Sequence, residues 1–386
     1  MKSGFILVLA AILGATPAAA QWQQIGEPGF SHLDIRRHSI ALDSEGNPFV
    51  FYSTYDTPNE ARVVKYSGIA WQTVGPDDVT GVDYWWARDN HIAIDDNDTV
   101  YIAYSEIQTA APYDYSCFVK RYTGTGWEII AEFVTSDYLI QMDFNLGPDG
   151  TPYIAYWDNT EGGAIIKKYN GATWDIIGGG VIAPGQLFAL SFIVDAEGNV
   201  WTAYADQYDS FLLAAKKFNG SNWEMIGTHI SSNSIDLPNS RTDIVIDNDG
   251  ILYIAAYISP DLNLNIYSFD GAWHTEPFGG TVSFVRFSEV TDANEFYLAS
   301  SEYFEASQYS NMSIRKRDAT GNWSYATGDQ YVIQDIRFTH VEVLDHQIFA
   351  LYRDEPNGQK SSVITYDQSG IFVDGFESGD LGAWSE

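Results

Sequence analysis

One short pattern occurs repeatedly along this chain: an apolar run, an acidic turn and a second apolar run. Four clear copies are SIALDSEGNPFVFY (39–52), HIAIDDNDTVYIAY (91–104), FIVDAEGNVWTAY (192–204) and IVIDNDGILYIAA (244–256). Runs of Val, Ile, Tyr and Phe bounded by Gly, Asn and Asp are typical of strands. In the turn, Asp and Asn bond their own backbone and Gly supplies a positive φ. Each copy therefore predicts a hairpin of two short strands.

A second repeat marks the length of the unit. Tryptophan begins similar segments at intervals of 49, 56, 47, 49, 50 and 50 residues, and a pair such as KYSG or KFNG precedes most of them. The tryptophans are Trp22, Trp71, Trp127, Trp174, Trp223, Trp273 and Trp323. Each unit of about 50 residues thus holds four strands, and seven such units are typical of a β-propeller. We predict an all-β, seven-bladed propeller over residues 21–372, with four antiparallel strands in each blade.

The ring must be closed by one end of the chain. The last unit has no clear tryptophan strand of its own, whereas QWQQIG around Trp22 precedes every inner strand. We expect this N-terminal strand to complete the last blade, and IFVDGF (371–376) is the competing segment.

The repeat resembles the broad superfamily of seven-bladed propellers, over about residues 21–372. It lacks the Gly-His and Trp-Asp signature of WD40 repeats and the Asp-box of sialidases, so no family of defined activity is indicated. The segment FVDGFESGDLGAWSE (372–386) is similar to a short acidic-aromatic tail that ends many secreted bacterial proteins. This resemblance implies a bacterial source and a separate tail over residues 373–386.

Residues 1–20 have the pattern of a secretory signal peptide. Lys2 precedes an apolar stretch that is too short to span a bilayer, and Ala18–Ala20 form a small-residue cleavage site. The predicted location is extracellular or periplasmic, with no membrane span. Cys117 is the only cysteine, which excludes an internal disulfide, and we expect it to be a small buried hydrophobe on a strand.

The charge of the chain restricts its partners. Without Lys2, 52 acidic residues stand against 19 basic ones, a net charge of −33. Because nucleic acids and anionic lipid surfaces are bound through Lys and Arg, we expect neither as a partner. Eleven of the bases lie on predicted third strands, where we expect them to be solvated. They are Arg62, Lys65, Lys120, Arg121, Lys167, Lys168, Lys216, Lys217, Arg315, Lys316 and Arg317.

Six arginines lie just before predicted inner strands, where the connecting loops open onto one end of the central channel. They are Arg36, Arg37, Arg88, Arg241, Arg286 and Arg337. The following polar positions form one column, made of Ser39, His91, Asp143, Ser191, Asp243 and His340. Loops on the same side carry carboxylates and aromatic rings. The predicted ligand-binding set is Arg37, Arg88, Arg241, Arg286, Arg337, Asp143, Asp243, Trp85, Trp86, Trp157, Asp158 and Asp206.

Two interpretations of the arginines are open. In the first, each arginine pairs with a carboxylate of a neighbouring blade; in the second, some arginines bind an anionic ligand such as a uronate, with aromatic rings stacking on the sugar. The functional hypothesis is a secreted, monomeric binding module for glycans, acidic ones favoured, or for an extracellular protein.

Three alternatives to binding remain. A lyase would neutralise a uronate with arginine and remove its C5 proton with His91 or His340. Hydrolysis by Asp158 with Asp206 is a further variant, and a cell-surface structural protein is the last. No cofactor is expected and no metal site is predicted. The turn at Asp247 lacks the Gly and Glu positions of an EF-hand, so a hairpin is favoured there over Ca²⁺.

Overall fold

The computed structural model describes residues 21–55, 60–80, 84–108, 114–135, 142–158, 160–185, 187–235, 242–258, 263–303, 310–328 and 332–368. The predicted signal peptide and the tail over 373–386 lie outside these residues. Regular structure in the described part is strand, apart from two short 3-10 turns at Ile177–Gly179 and Gln207–Asp209. No helix among the described residues is long and apolar enough to cross a membrane.

The strands follow the predicted four-strand pattern. After β1 (Gln23–Gln24) come β2 (Ile35–Leu42), β3 (Pro48–Thr54), β4 (Ala61–Tyr66) and β5 (Trp71–Thr73). The next group is β6 (Tyr84–Ile94), β7 (Val100–Gln108), β8 (Tyr115–Tyr122) and β9 (Trp127–Thr135). It is followed by β10 (Met142–Leu146), β11 (Pro152–Asp158), β12 (Gly163–Tyr169) and β13 (Trp174–Ile176), with the short β14 (Ala183–Pro184) added to β12.

The second half repeats this order. It contains β15 (Leu187–Val194), β16 (Val200–Asp206), β17 (Leu212–Phe218) and β18 (Trp223–Gly227), then β19 (Asp243–Ile246), β20 (Leu252–Ile258), β21 (Asn263–Phe269) and β22 (Trp273–Phe287). The last strands are β23 (Phe296–Tyr303), β24 (Ser310–Arg317), β25 (Trp323–Tyr325), β26 (Ile333–Leu344), β27 (Gln347–Asp354) and β28 (Lys360–Asp367). Each antiparallel group of four is a blade and is named by its strands.

Two connections join blades that would otherwise be separate. Strand β22 pairs with β21 through its first part and with β23 through its second, so it ends one blade and begins the next. Strand β24 also pairs with β26. The four-stranded antiparallel arrangement is confirmed, and the count of seven blades stays a prediction because these connections merge neighbouring blades into one sheet.

The N-terminal strand closes the last blade, as predicted. Gln23 lies opposite Thr365 and Gln24 opposite Ile364, so β1 is the fourth strand beside β26, β27 and β28. The ring of Trp22 packs 5.3 Å from that of Tyr366, centroid to centroid. The competing segment, 371–376, lies outside the described residues.

The repeated tryptophans connect successive blades. Each of five indole N–H groups donates to the carbonyl three residues after the previous repeat tryptophan, over 2.9–3.3 Å. The pairs are Trp71 with Ile25, Trp127 with Val74, Trp174 with Ile130, Trp223 with Ile177 and Trp273 with Ile226. In four of them a glycine follows the carbonyl, and a Cβ there would lie 2.4–2.8 Å from the indole nitrogen. The spacing Trp-x-x-x-Gly is therefore an inter-blade contact.

The core lies between the blades, since both faces of each sheet are covered. The β2–β5 and β6–β9 blades, for example, bury Phe51, Ile102 and Tyr104 between them. Cys117 on β8 is fully buried, as predicted, and burial raises the pKa of its thiol well above its ordinary value. Sheets buried on both faces explain the continuous apolar runs in the sequence.

The prediction that bases on third strands are solvated is wrong for two lysines. Lys120 is 8 % exposed, and its ammonium donates to the carbonyl of Val79 over 2.5 Å. Lys216 donates to the carbonyl of Ile182. Burial lowers the pKa of both ammonium groups. These lysines satisfy loop carbonyls of the adjacent blade, because the fourth strand and the loop after it cover the third strand.

Candidate functional site: the central channel and the arginine face

One position recurs at the same height on every inner strand, and six of its seven residues line the central channel. Its residues lie opposite Phe51, Ala103, Ala155, Ala203, Ala255, Ala299 and Leu351 of the second strands. We call this set the polar layer: Ser39, His91, Asp143, Ser191, Asp243, Arg286 and His340. Six of these form the column that the sequence indicates. Arg286 is an additional member, which the sequence assigned to the preceding loop.

The polar layer ties each inner strand to the next. A carboxylate oxygen of Asp143 accepts the backbone N–H of Phe192 over 2.9 Å, and one of Asp243 accepts that of Phe287 over 2.6 Å. His91 Nε2 donates to the carbonyl of Met142 over 3.2 Å. The side chains at this height thus supply hydrogen bonds between inner strands that do not pair with each other.

Arg286 and two aspartates form the charged centre of the layer. Its guanidinium lies 3.2 Å from Asp243, and the Arg286 and Asp243 side chains are 19 % and 14 % exposed, respectively. Burial lowers the pKa of Arg286, but the carboxylates of Asp243 and Asp143 outweigh it, so the pKa is raised. Burial raises the pKa of Asp143 to about 6, although Arg286 opposes that shift. This pairing across adjacent blades is the arrangement expected from the first interpretation of the arginines.

His340 and Glu342 lie on the same face of β26 and contact each other, with 3.1 Å between His340 Nε2 and Glu342 Oε1. An exposed ion pair would raise the histidine pKa and lower the glutamate pKa. Here burial dominates. It lowers the pKa of His340 to about 3 and, together with the charge of Asp243, raises the pKa of Glu342 to about 8. At neutral pH both side chains are therefore uncharged, and one of them donates the hydrogen bond between them.

The channel cavity extends from the polar layer towards the hairpin turns that follow the inner strands. Its volume is about 570 Å³, and its wall includes the turn residues Asp43, Asp95 and Gly147. We call this end the turn face. Glu289 is exposed at this end of the channel, and its position between the channel walls, with the charges of Glu342 and Asp96, raises its pKa. Carboxyl groups therefore dominate this half of the channel.

The opposite end, at which the inner strands begin, is the arginine face. β-Bulges interrupt β2 after Ile35, β22 after Val282 and β26 after Arg337, and a bulge re-aims the side chains beside it. Arg37 lies 4.5 Å above the ring of Phe338, which meets the ring of Phe284 edge to face at 4.4 Å.

Two further arginines lie at this face. Arg36 lies 5.5 Å above the ring of Tyr55, which is 48 % exposed. The side chain of Arg337 is 45 % exposed, with its Nε 3.8 Å from Glu355. We call Arg36, Arg37, Tyr55, Phe284, Arg337 and Phe338 the arginine–aromatic cluster.

A half-buried histidine, His38, holds this cluster in place. His38 Nε2 donates to the carbonyl of Phe338 over 2.8 Å, and its Nδ1 lies 3.0 Å from the Ser361 hydroxyl. Burial lowers the pKa of His38 to about 3, so the ring is neutral. Its two hydrogen bonds fix β2 against the closing blade.

The structure separates the predicted site residues into distinct places. His91, Asp143, Asp243, Arg286 and His340 line the cavity, and Arg37 and Arg337 lie at the arginine face. Trp157 is buried, and its indole donates to the carbonyl of Gly185. Asp158 and Asp206 accept backbone N–H groups of Thr160 and Tyr208, so both stabilise turns. The side chains of Trp85, Trp86 and Arg88, and the whole of Arg241, lie outside the described residues.

Several residues of the site were not singled out from the sequence. Glu342 lies two residues after His340, and strand alternation places the two on one face. Glu289 and Phe284 flank Arg286 on a segment whose bulge the sequence does not reveal. A search for every polar residue at two-residue spacing from the column would have found Glu342 but neither of the others.

The pH dependence of stability gives a test of the carboxyl-rich channel. Glu342 faces His340 on its own strand, and Asp243, Arg286 and Glu289 lie on or near the adjoining inner strands. The folded pKa of Glu342 is above its unfolded value. Its contribution to the free energy of unfolding is therefore present in full below about pH 4.5 and is lost as the pH rises through about 8. Between about pH 6.5 and 8.5, folded His340 is neutral and its unfolded titration is the same in both proteins, so we expect Glu342→Gln to remove about 1–2 kcal/mol of the wild-type decline. Urea denaturation across that range measures it.

The matched control is Glu197→Gln, on an exposed turn. It should leave the slope of stability against pH unchanged. A Glu342→Gln variant with the same slope as the wild type would contradict the raised pKa.

Comparisons with known proteins identify the fold. No known protein-family model matches this chain, and no curated protein sequence is significantly similar to it. The BP39L lectin from Burkholderia pseudomallei has a TM-score of 0.55 at 12 % identity, covering 92 % of this chain and 97 % of the lectin. The polysaccharide lyase Uly1 has a TM-score of 0.55 at 11 % identity, covering 93 % and 94 %. The β-propeller domain of the Trilobed protease from Pyrococcus furiosus has a TM-score of 0.51 at 11 % identity, covering 91 % and 100 %.

At such identities the likeness concerns the fold. Together with the four-stranded antiparallel blades, it shows that the chain is a β-propeller.

Proposed function

We propose that this protein is a secreted, monomeric β-propeller that binds glycans, preferentially acidic ones, at the arginine–aromatic cluster. The observation that carries the proposal is the stacking of Arg37 on Phe338 beside the half-exposed side chain of Arg337. Guanidinium groups bind carboxylates through paired N–H donors, and aromatic rings pack against sugar faces. Acidic glycans carry both of these groups, carboxylates and sugar faces.

The arginines of the arginine–aromatic cluster contrast with the negative net charge of the whole chain. On a chain with a net charge of −32, three arginines, Arg36, Arg37 and Arg337, are concentrated at this face, where Glu355 lies beside Arg337. General repulsion from the rest of the surface would weaken binding of long acidic polymers, so short oligosaccharides or chain ends are the preferred ligands. The propeller lectin BP39L shows that this fold can serve as a lectin.

Binding is favoured over the lyase alternative by the state of His340. A general base works best with a pKa near the working pH, and burial holds the pKa of His340 at about 3. His91 donates its Nε2 proton to a backbone carbonyl and lies in the polar layer rather than in the cluster. The two hypotheses also differ in their products: a lyase would release unsaturated uronates, whereas a binding protein would leave the glycan intact.

The test compares Arg337→Ala with a matched arginine. Arg121 is also exposed and paired with one glutamate, but it lies on β8 away from the channel. Calorimetric titration with oligogalacturonate should show binding to the wild type and to Arg121→Ala, and at least about tenfold weaker binding to Arg337→Ala, the range for one charge-assisted hydrogen bond. Neutral oligosaccharides should bind more weakly than oligogalacturonate.

Other outcomes overturn the proposal in different ways. Unchanged affinity of Arg337→Ala would exclude the cluster as the site. No glycan binding at all would favour an extracellular protein partner. Accumulation of unsaturated uronates, seen by ultraviolet absorbance, would replace binding with lyase activity.

A further inference from the structure

Two guanidinium groups lie over the aromatic ring of Phe338. That of Arg37 is 4.5 Å from the ring centroid, and that of Arg353 is 5.0 Å from it. Arg37 is half-buried at the arginine face, whereas Arg353, on β27, is 3 % exposed. A guanidinium over an aromatic face is attracted by the ring. Arg353 therefore supports the arginine–aromatic cluster from within the protein and is not part of its outer surface.

The backbone also fixes the position of Phe338. At the bulge of β26 after Arg337, Phe338 has a φ of 51°, in the left-handed region that a bulky residue rarely adopts. Such a conformation persists only where the surrounding contacts impose it. Here His38 donates a hydrogen bond to the carbonyl of Phe338. Because β2 and the bulge hold the ring, a change of charge behind it should leave the ring in place.

The counter-ion of Arg353 is the carboxylate of Glu355. Nε and Nη2 of Arg353 lie 2.7 and 2.5 Å from the same oxygen, Oε1 of Glu355. The side chains of Arg353 and Glu355 are 4 % and 3 % exposed, respectively. A buried guanidinium without a counter-charge is strongly unfavourable. This pairing explains why a carboxylate lies behind a cluster that we propose binds anions.

The same carboxylate acts on the exposed side of the cluster. Its Oε1 is 3.8 Å from Nε of Arg337, beyond hydrogen-bond distance, so this contact is electrostatic. The side chain of Arg337 is 45 % exposed and that of Glu355 is 3 % exposed. A ligand can therefore touch Arg337 but not Glu355. A ligand carboxylate bound to Arg337 would lie close to a fixed negative charge, and burial of that charge limits its screening by salt.

We propose that Glu355 sets the selectivity of the arginine–aromatic cluster between acidic and neutral glycans. This inference rests on the proposed glycan-binding function of the cluster. The carboxylate of Glu355 lowers the affinity for ligands that bring a carboxylate to Arg337. It leaves the affinity for neutral sugars unchanged, because they carry no charge for it to repel. Glu355 is thus a specificity-determining residue that acts through Arg337 without contacting the ligand.

The experiment compares two ligands with the same sugar chain by calorimetric titration. They are an oligogalacturonate and its neutral, fully methyl-esterified form. We expect Glu355→Gln to bind oligogalacturonate about two- to fivefold more tightly than the wild type, the range for an ion pair at a partly exposed site. The affinity for the methyl ester should stay the same. A purely structural role of Glu355 would instead weaken the binding of both ligands.

A second variant guards against loss of the fold. Glu355→Gln leaves Arg353 without its counter-charge, whereas Arg353→Met with Glu355→Gln removes the buried pair together. We expect the double variant to gain affinity for oligogalacturonate as well. The control is Glu295→Gln in the turn before β23, where the carboxylate is 2.7 Å from Lys316. This turn lies at the turn face, so both affinities should equal those of the wild type.

The possible failures are distinguishable. If the wild type binds oligogalacturonate but neither Glu355 variant binds it more tightly, the selectivity role is excluded and the proposed function stands. An equal gain for the methyl ester would also exclude that role. If neither the wild type nor the variants bind oligogalacturonate, both proposals fail. Adding Arg337→Ala to Glu355→Gln should abolish the gain, and a gain that persists would show that Glu355 does not act through Arg337.

Discussion

Replacing Arg286 by Met is expected to lower the free energy of unfolding by about 3–5 kcal/mol, the range found when one partner of a buried ion pair is removed. Arg286 is the only guanidinium of the polar layer in the described structure, and it faces both Asp243 and Asp143. Without it, Asp243 keeps the N–H of Phe287 but loses its counter-charge. Urea denaturation at pH 7.5 measures the loss.

A double variant separates charge from packing. Asp243→Asn with Arg286→Met removes the pair together, and we expect it to recover a large part of the loss because only Asp143 then lacks its counter-charge. The control is Arg121→Met, whose exposed pair with Glu128 should contribute less than about 1 kcal/mol. A loss below about 1 kcal/mol in Arg286→Met would show that water in the channel already screens the two aspartates.

The Arg286→Met loss should also depend on pH. The folded pKa of Asp143 is already about 6 with Arg286 present, and removal of the guanidinium raises it further. At pH 5 the layer can take up a proton instead of carrying an unpaired charge, so the variant should lose less stability there than at pH 7.5. Equal losses of stability at pH 5 and pH 7.5 would show that the variant is destabilised by poorer packing rather than by the unpaired charge.

The propeller could be predicted from the sequence because its repeat is local. Apolar runs, acidic turns and the tryptophan spacing recur within units of about 50 residues, and each unit is one four-stranded blade. Closure by β1 was also predictable, since the last unit lacked a fourth strand that the N-terminus could supply. These predictions need only the pattern within a unit and the ends of the chain.

The site was less predictable because it depends on contacts between units and on strand irregularities. The position of Arg286 follows from the bulge between Val282 and Phe284, which shifts the register by one residue and moves an arginine from the loop into the channel layer. Lys120 was assigned to a solvated strand, because two-residue alternation does not show which face a neighbouring loop covers. Charge patterns alone could not distinguish the two ends of the channel.

The tryptophan–glycine contact gives the second large effect: Gly227→Ala is expected to destabilise the protein by about 1–3 kcal/mol, the range for adding a methyl group to a well-packed site. A Cβ at Gly227 would lie 2.4 Å from the Nε1 of Trp273, whose N–H donates to the neighbouring carbonyl of Ile226. The ring must move to avoid the methyl group, and it would then lose that hydrogen bond between blades. Denaturant unfolding measures the change.

Gly180 provides the matched control. Like Gly227 it has no positive φ to penalise alanine, and nothing lies within 4 Å of a Cβ built there, so Gly180→Ala should be nearly neutral. In a Trp273→Phe background the smaller ring leaves room for the methyl group, and adding Gly227→Ala should then cost less than it does in the wild type. Additive losses in that double variant would mean that the backbone at this position requires glycine whether or not the tryptophan is present. Trp-x-x-x-Gly would then mark a turn instead of an inter-blade contact.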